Sequence, residues 1–567
     1  MNLPRKYRWL WLLAAIAVIA VVAFAACKDD EGGGETPGPG ESPAAGERIQ
    51  GGELTVGGFE FASLDPHFSS FAQDISLERM IWRGLYTLDI DNIPQPAMAA
   101  ELPDISDDGK TYTITLRDGL LWSDGQPLTA ADFEFGIKRT CNPVVAGEYE
   151  YIIDASIVGC ADHYSNEAGF DQSLEDAIGV KALNDTTLEI TLNQAQPTFT
   201  IILSLWMTFP APKHLFQTTG DDWPTDPAKL AYNGPYILTS YTAQAEVTLA
   251  PNPNWAAPAG VKPTLDKVTI KFIDDLAQAD RAFGTGELDF ANVDKTQLAT
   301  IKGQYPKEYV KSVKPSTRGL EMNLKVPPLD KLDVRLALSQ AIDRVKLNEV
   351  VAGDGNEPTT TWLPAVTGGP APDAYAAEIG FNVDSAKKHL SDAGYKDGAG
   401  FPTLTILTSE CPVCKKTGEF LVEQFKINLG ITVKQEVVDS ATRSKRFTDQ
   451  QFELFPGGWI EDYPDPENWI VGLFDTGGTL NNYNCSDSEI DDLVEKAHFN
   501  TNNTERLTQY QDANKLISTR ICGIAPYWHE NDHYLIHDYI VGMKENISGQ
   551  DAVGPGDWNS EAIGLAK

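Results

Sequence analysis

Between Leu404 and Val438 the chain reads strand, helix, strand, and no other stretch limits its fold so tightly. Leu404-Thr405-Ile406-Leu407 is strand-like, Phe420 to Leu429 carries helical apolar spacing closed by Gly430, and Ile431-Thr432-Val433 turns extended again. Such a unit pairs its two strands in parallel and lays the helix across the sheet face, so the body is α/β. Other segments agree. Thr111 to Leu116 alternates polar and apolar residues after the turn Asp107-Asp108-Gly109, Leu188, Ile190 and Leu192 repeat that alternation, and Val268 to Ile273 gives another strand. Thr129 followed by Asp132 forms a capping box for a helix whose inner face carries Phe133 and Ile137. Val334, Leu338, Ala341, Ile342 and Val345 share the face of a further helix, which Gly353 ends. At about 150 residues per domain, 567 residues predict three to four compact units.

The amino terminus sets the compartment. Arg5, Lys6 and Arg8 precede an uncharged apolar run from Trp9 to Ala26, which is the pattern of an export signal. Phe24-Ala25-Ala26-Cys27 resembles a bacterial lipoprotein box, with Phe24 where that pattern more often has Leu. The small residues before Cys27 favour cleavage and lipid attachment over a permanent anchor. The signal peptide is therefore 1–26 and the lipid-anchored flexible linker 27–52, Gly-, Pro- and Glu-rich with almost nothing apolar to bury. A linker of that composition spans roughly 25–30 Å, enough to hold a folded body just clear of a membrane.

Export to an oxidising compartment changes how the cysteines read. Setting Cys27 aside leaves Cys141, Cys160, Cys411, Cys414, Cys485 and Cys522, an even set that predicts disulfides. Loop closure favours the sequence-near pairs Cys141–Cys160, Cys411–Cys414 and Cys485–Cys522. Cys411-Pro412-Val413-Cys414 also fits a redox CxxC, but it follows a strand-like run and lacks a second CxxC to make a zinc ribbon, so a small structural bridge is expected. The net charge of −36 repels phosphate backbones and excludes nucleic acid as a partner.

A series of motifs then resembles one family. Ser63-Leu64-Asp65-Pro66-His67, Asp107 to Tyr112, Leu116-Arg117-Asp118-Gly119, Trp122-Ser123-Asp124-Gly125 and Leu128 to Phe133 are similar to the solute-binding proteins of peptide and nickel ABC importers (bacterial solute-binding protein family 5). Asn233-Gly234-Pro235-Tyr236, Asp333-Val334-Arg335 with Ala341 to Arg344, Asp392-Ala393-Gly394-Tyr395 and Gly458 to Pro466 continue the match in the family's order. The resemblance implies a large type II periplasmic-binding-protein-like fold with two lobes, three domains and a ligand cleft between the lobes. It places domain I at 53–88, 230–315 and 527–567, domain II at 89–229 and domain III at 316–526. It also implies a monomer on the outer side of the cell membrane that hands a peptide to permease subunits powered by a separate ATPase, with no cofactor, metal or catalysis of its own. The sequence carries no Gly-rich loop ending in Lys-Ser or Lys-Thr.

By the same resemblance Asp462, shortly after Gly458-Trp459, pairs with the ligand's ammonium, with Trp459 and Tyr463 as its wall; Phe71, a few residues past Ser63-Leu64-Asp65-Pro66-His67, is taken as the opposite wall. Read without the family, Asp462 is a turn residue before Tyr463-Pro464-Asp465-Pro466. The acids Glu461, Asp462, Asp465 and Glu467 could also hold calcium, but their spacing fits no EF-hand. Other solutes carried by this fold, such as nickel complexes, haem or oligosaccharides, remain an alternative. From another class, His529-Glu530-x-x-His533 matches a zinc metallopeptidase motif. That chemistry needs a helix, whereas the flanking residues favour a strand, which holds residues four apart roughly 13 Å from each other.

Overall fold

The structure is a computed structural model that describes residues 48–89, 91–219, 229–543 and 560–566. The export signal, Cys27 and the linker as far as residue 47 lie outside the described residues; residues 48–52, expected to be linker, are part of the folded body, where Arg48 and Ile49 pair antiparallel with Ala566 and Leu565. One large sheet organises the body. Its main strands are β1 (Glu53–Gly58), β2 (Tyr236–Thr242), β3 (Glu246–Pro251), β4 (Lys267–Phe272), β5 (Phe290–Asn292), β6 (Tyr309–Met322), β7 (Leu404–Ser409), β8 (Val433–Val438), β9 (Leu454–Ile460) and β10 (Ile524–Ile536). They lie in the order β8-β7-β9-β6-β10-β5-β1-β4-β3-β2. A separate four-stranded sheet is built from Asp104–Ile105, Thr111–Thr115, Thr187–Thr191 and Val180–Asn184, in that order.

The centre of the large sheet is the antiparallel pair β6 and β10, 14 and 13 residues long. Two register shifts interrupt it, one between Val313 and Thr317 and one between Arg318 and Gly319. Pro315 falls in the first and Pro526 at the second, where a residue without N–H costs no ladder bond. Strands from 404–460 flank the pair on one side and strands from 53–292 on the other. The chain positions 315/316 and 526/527, expected to separate domains, fall inside β6 and β10.

The expected βαβ unit is present. β7 and β8 pair in parallel from Leu404↔Val433 to Ser409↔Val438, joined by helix Pro412–Leu429 with Gly430 at φ 70° as its stop. That helix begins well before Phe420. Pro412 occupies its first turn, Cys411 is the N-cap, and the Cys411 Sγ accepts the Cys414 N–H at 3.1 Å, so the CxxC opens the helix rather than a loop. A second correction concerns 334–345, which is two helices, Leu332–Gln340 and Arg344–Ala352. Asp343 accepts the Lys346 N–H and caps the second helix, which leaves Val345 65% exposed. The capping box at Thr129 and Asp132 forms as read, with Phe133 and Ile137 wholly buried.

All three sequence-near disulfides are formed: Cys141–Cys160, Cys411–Cys414 and Cys485–Cys522. Cys141 and Cys160 belong to one hydrophobic core and Cys485 and Cys522 to another. Chain entropy gives the bridge of separation 37 about 4 kcal/mol and the one of separation 3 about 2 kcal/mol. Replacing Cys485 and Cys522 together with serine should therefore cost about 4 kcal/mol or more in denaturant unfolding, and replacing Cys411 and Cys414 no more than about half as much.

Candidate ligand cleft

The site grows from the end of β9. Gly458 has φ 151°, and a Cβ there would lie 2.0 Å from the Thr317 carbonyl oxygen of β6, so only glycine lets the two strands close at this level. Beyond it Ser316 pairs with Ile460, and the Glu461 N–H donates to the Pro315 carbonyl at 2.9 Å. Asp462 then leaves the sheet and is held by Asn468. The Asn468 Oδ1 accepts both the Asp462 N–H at 2.8 Å and the Trp459 Nε1–H at 3.1 Å, while its Nδ2 donates to Asp462 Oδ2 at 2.9 Å. Tyr151, 311 residues away, donates its hydroxyl to the same Oδ2 at 2.8 Å.

Asp462 and the half-buried Trp459 line a cavity of about 290 Å³. Ser70 and Ala72, at the start of helix Ala72–Ile81, form another wall, and Arg79, Tyr149 and Trp206 complete it. The Asp462 carboxyl is pushed up to about 6, because burial outweighs the Asn468, Tyr151 and Tyr149 hydroxyl or amide contacts and the Arg79 charge that pull it down.

The other acids of this segment are each held by separate partners, and calcium has no shared set of ligands here. Arg506 grips Asp465 through two bonds of 2.7 and 2.6 Å. Glu467 accepts from Gln196 at 2.8 Å and Thr198 at 2.9 Å, and Glu461 accepts from Thr367 and from Trp469 Nε1 at 3.0 Å. Burial pushes Glu461 up to about 8. Among the described residues no cluster of His, Cys, Asp and Glu could hold a metal ion.

Of the residues read from sequence, Asp462 and Trp459 meet in the cavity. Tyr463 does not. It is 5% exposed in the hydrophobic core, and its hydroxyl donates to Glu467 at 3.2 Å. Phe71 is 55% exposed, and although its neighbours Ser70 and Ala72 line the cavity, Phe71 does not. The turn after Trp459 aims Tyr463 inward, because Pro464 and Pro466 fix the chain direction there. Sequence reasoning missed Tyr149, Tyr151, Arg79 and Trp206, since nothing local to 149–151 ties it to Asp462.

A second cavity of about 650 Å³ adjoins the first through Arg318, which lines both. The Arg318 Nε donates to Glu530 Oε2 at 2.9 Å, and Ser316 donates to the same oxygen at 2.7 Å. Burial would raise the Glu530 carboxyl, but Arg318, with Lys295 and Lys314, holds it well below the usual carboxylate range. The HExxH residues are consequently committed to strand β10. The two ring nitrogens of His529 meet the Thr317 and Thr359 hydroxyls at 2.8 and 2.9 Å, and those of His533 meet the Tyr309 hydroxyl at 2.6 Å and the Gly355 carbonyl at 3.0 Å. Burial pushes His529 down to about 3 and His533 to about 4. The zinc reading fails on this geometry: the segment is a strand and no imidazole nitrogen is left for a metal.

Residues 94–481 match the model of the bacterial extracellular solute-binding proteins, family 5. A probable deoxycholate-binding periplasmic protein of Escherichia coli is 29% identical over 82% of this chain and 85% of its own length. The periplasmic oligopeptide-binding protein OppA of Escherichia coli is 27% identical over 86% of this chain and 88% of its own. The murein tripeptide-binding protein MppA of Escherichia coli superposes with a TM-score of 0.77 at 25% identity, over 92% of this chain and all of that one.

Asn468 is the keystone of the local geometry. Asn468→Ala should destabilise the fold by about 2–3 kcal/mol, through loss of a carboxylate bond and two bonds to N–H groups, and should alter the near-ultraviolet circular dichroism of Trp459.

Proposed function

Since the chain belongs to family 5 of the bacterial extracellular solute-binding proteins, we propose that it captures peptides outside the cytoplasm and delivers them to an ABC importer. One observation carries this reading: Asp462, a buried carboxylate that lines the cavity and is held in place by the Tyr151 hydroxyl and the Asn468 amide. A peptide's terminal ammonium fits there, with the Trp459 and Trp206 rings as apolar walls. The rest of an extended chain would run past Arg318 into the larger cavity, where backbone bonds accept many side-chain sequences. A carboxylate-bearing steroid is disfavoured, since its own negative charge would face Asp462. Neutral oligosaccharide, haem and nickel complexes give that carboxylate no comparable task.

In this reading the lobes divide as the sequence suggests, with domain I at 53–88, 230–315 and 527–567, domain II at 89–229 and domain III at 316–526. β6 and β10 then act as the crossings about which the lobes close. Tyr151 and Gln196 from the second segment reach Asp462 and Glu467 of the third, contacts suited to a closed state. Cys27 would carry the lipid anchor, and the protein would work as a monomer beside its permease, without cofactor or catalytic step.

Removing the charge tests the reading directly. Asp462→Asn should weaken a free-amino tetrapeptide by about ten- to a hundredfold in titration calorimetry and leave its N-acetylated counterpart nearly unchanged; equal losses for both peptides would refute the assigned role.

The raised carboxyl adds a pH signature. Below about pH 6 the unliganded Asp462 takes up a proton that must leave again when an ammonium binds. Affinity for free-amino peptides should therefore hold above pH 6 and fall as pH drops below it, by up to about tenfold per unit. In Asp462→Asn that slope should vanish.

A further inference from the structure

Two of the disulfides are walled into cores and the third faces the cleft. Cys141 and Cys160 are fully buried, and Cys485 and Cys522 are 2% and 4% exposed. Cys411 is exposed, Cys414 is half-buried, and both line the 650 Å³ cavity together with Val413 and Thr417. The opposite walls come from 292–296 and from β10 between Tyr527 and His533. Arg318 joins this space to the cavity of Asp462.

We propose that Cys411–Cys414 is a thiol–disulfide exchange site for thiol-bearing peptides held in the cleft, an inference that rests on the peptide reading above. The bridge is poorly placed for a purely structural task. It closes a separation of three residues inside one helix turn and belongs to none of the hydrophobic cores, whereas the other two bridges tie distant segments inside theirs. Its position suits exchange. Cys411 is the N-cap of an 18-residue helix and is the more exposed residue of the pair, which makes it the side from which an incoming thiolate approaches. Cys414 sits in the first helical turn, where peptide dipoles stabilise a departing thiolate. Because the bridge lines the ligand cavity, a thiol carried by the ligand is delivered against it at high effective concentration.

The step balances without an added oxidant or reductant. The ligand thiolate attacks Cys411 Sγ, a ligand–Cys411 disulfide forms, and the Cys411–Cys414 bond breaks with its electron pair going to Cys414. The proton lost by the ligand thiol ends on Cys414. Attack of Cys414 on Cys411 reverses the step and releases the peptide, so the capture is reversible.

The test uses the purified full-length protein, acid quenching and non-reducing intact and peptide-map mass spectrometry. The probes are free-amino tetrapeptides with cysteine at the second, third or fourth position, their serine counterparts, and 2-mercaptoethanol alone. Mercaptoethanol should open Cys411–Cys414 at least tenfold faster than either buried bridge. At least one cysteine peptide should form a one-peptide adduct on Cys411 at a tenfold lower concentration than mercaptoethanol requires, and Asp462→Asn should remove that advantage. Opening no faster than Cys141–Cys160 overturns the exchange site. Cysteine peptides that bind like their serine counterparts, without an adduct, overturn the ligand assignment while the peptide reading stands. If neither peptide series binds, the peptide reading itself fails and the ligand assignment falls with it, whereas fast opening by mercaptoethanol would still support the exchange site.

Discussion

The antiparallel pairing of β6 with β10 is the interaction on which the remainder of the molecule depends. It joins strands from 404–460 to strands from 53–292 in one sheet, and it does so with two register shifts, each at a proline. Because those shifts lie beside Ser316, Thr317 and Arg318, the backbone bends where the cavities open. The same stretch carries the side chains that stiffen it: Ser316 and Arg318 on Glu530, and Thr317 on His529. A crossing built this way can be rigid along each strand and still leave the sheet a place to flex.

Around that crossing, polar groups are buried in unusual density, and their pairing explains the site. The four acids between Glu461 and Glu467 are 8% exposed or less, a concentration of charge that would be costly without partners. Asp465 is matched by Arg506 and Glu467 by amide and hydroxyl donors, while Glu461 and Asp462 are bonded to neutral donors and have their carboxyls raised. Of these two, Asp462 lies closer to the usual carboxylate range, and both line the smaller cavity. The turn that carries these acids thus pairs two of them with fixed partners and leaves two facing the smaller cavity.

The α/β class, the βαβ unit at 404–438, the capping box at Thr129 and the three disulfides were legible from spacing alone, because each depends on residues near one another in sequence. The family motifs also led to Asp462 and Trp459. Where reading failed, a competing local effect had intervened. Asp343 capped a new helix inside an apolar face, Pro412 and Cys411 started a helix earlier than its hydrophobic spacing, and Tyr463 turned into the core although it directly follows Asp462, which lines the cavity. Phe71 was placed by proximity to a motif, and proximity says nothing of the direction in which a side chain points.

What the sequence determined on its own is the class of chain: an acidic α/β body, local bridges, and a motif series that marks the solute-binding family. Only the tertiary structure decided which groups hold the His529 and His533 rings, that Tyr151 reaches Asp462 across 311 residues, and that the Cys411–Cys414 bridge lines the larger cavity. The physical reason is range. Periodicity, caps and turns are set by neighbours a few residues apart, whereas a cavity is defined by the faces of distant segments, and which face each one presents is fixed when the sheet closes.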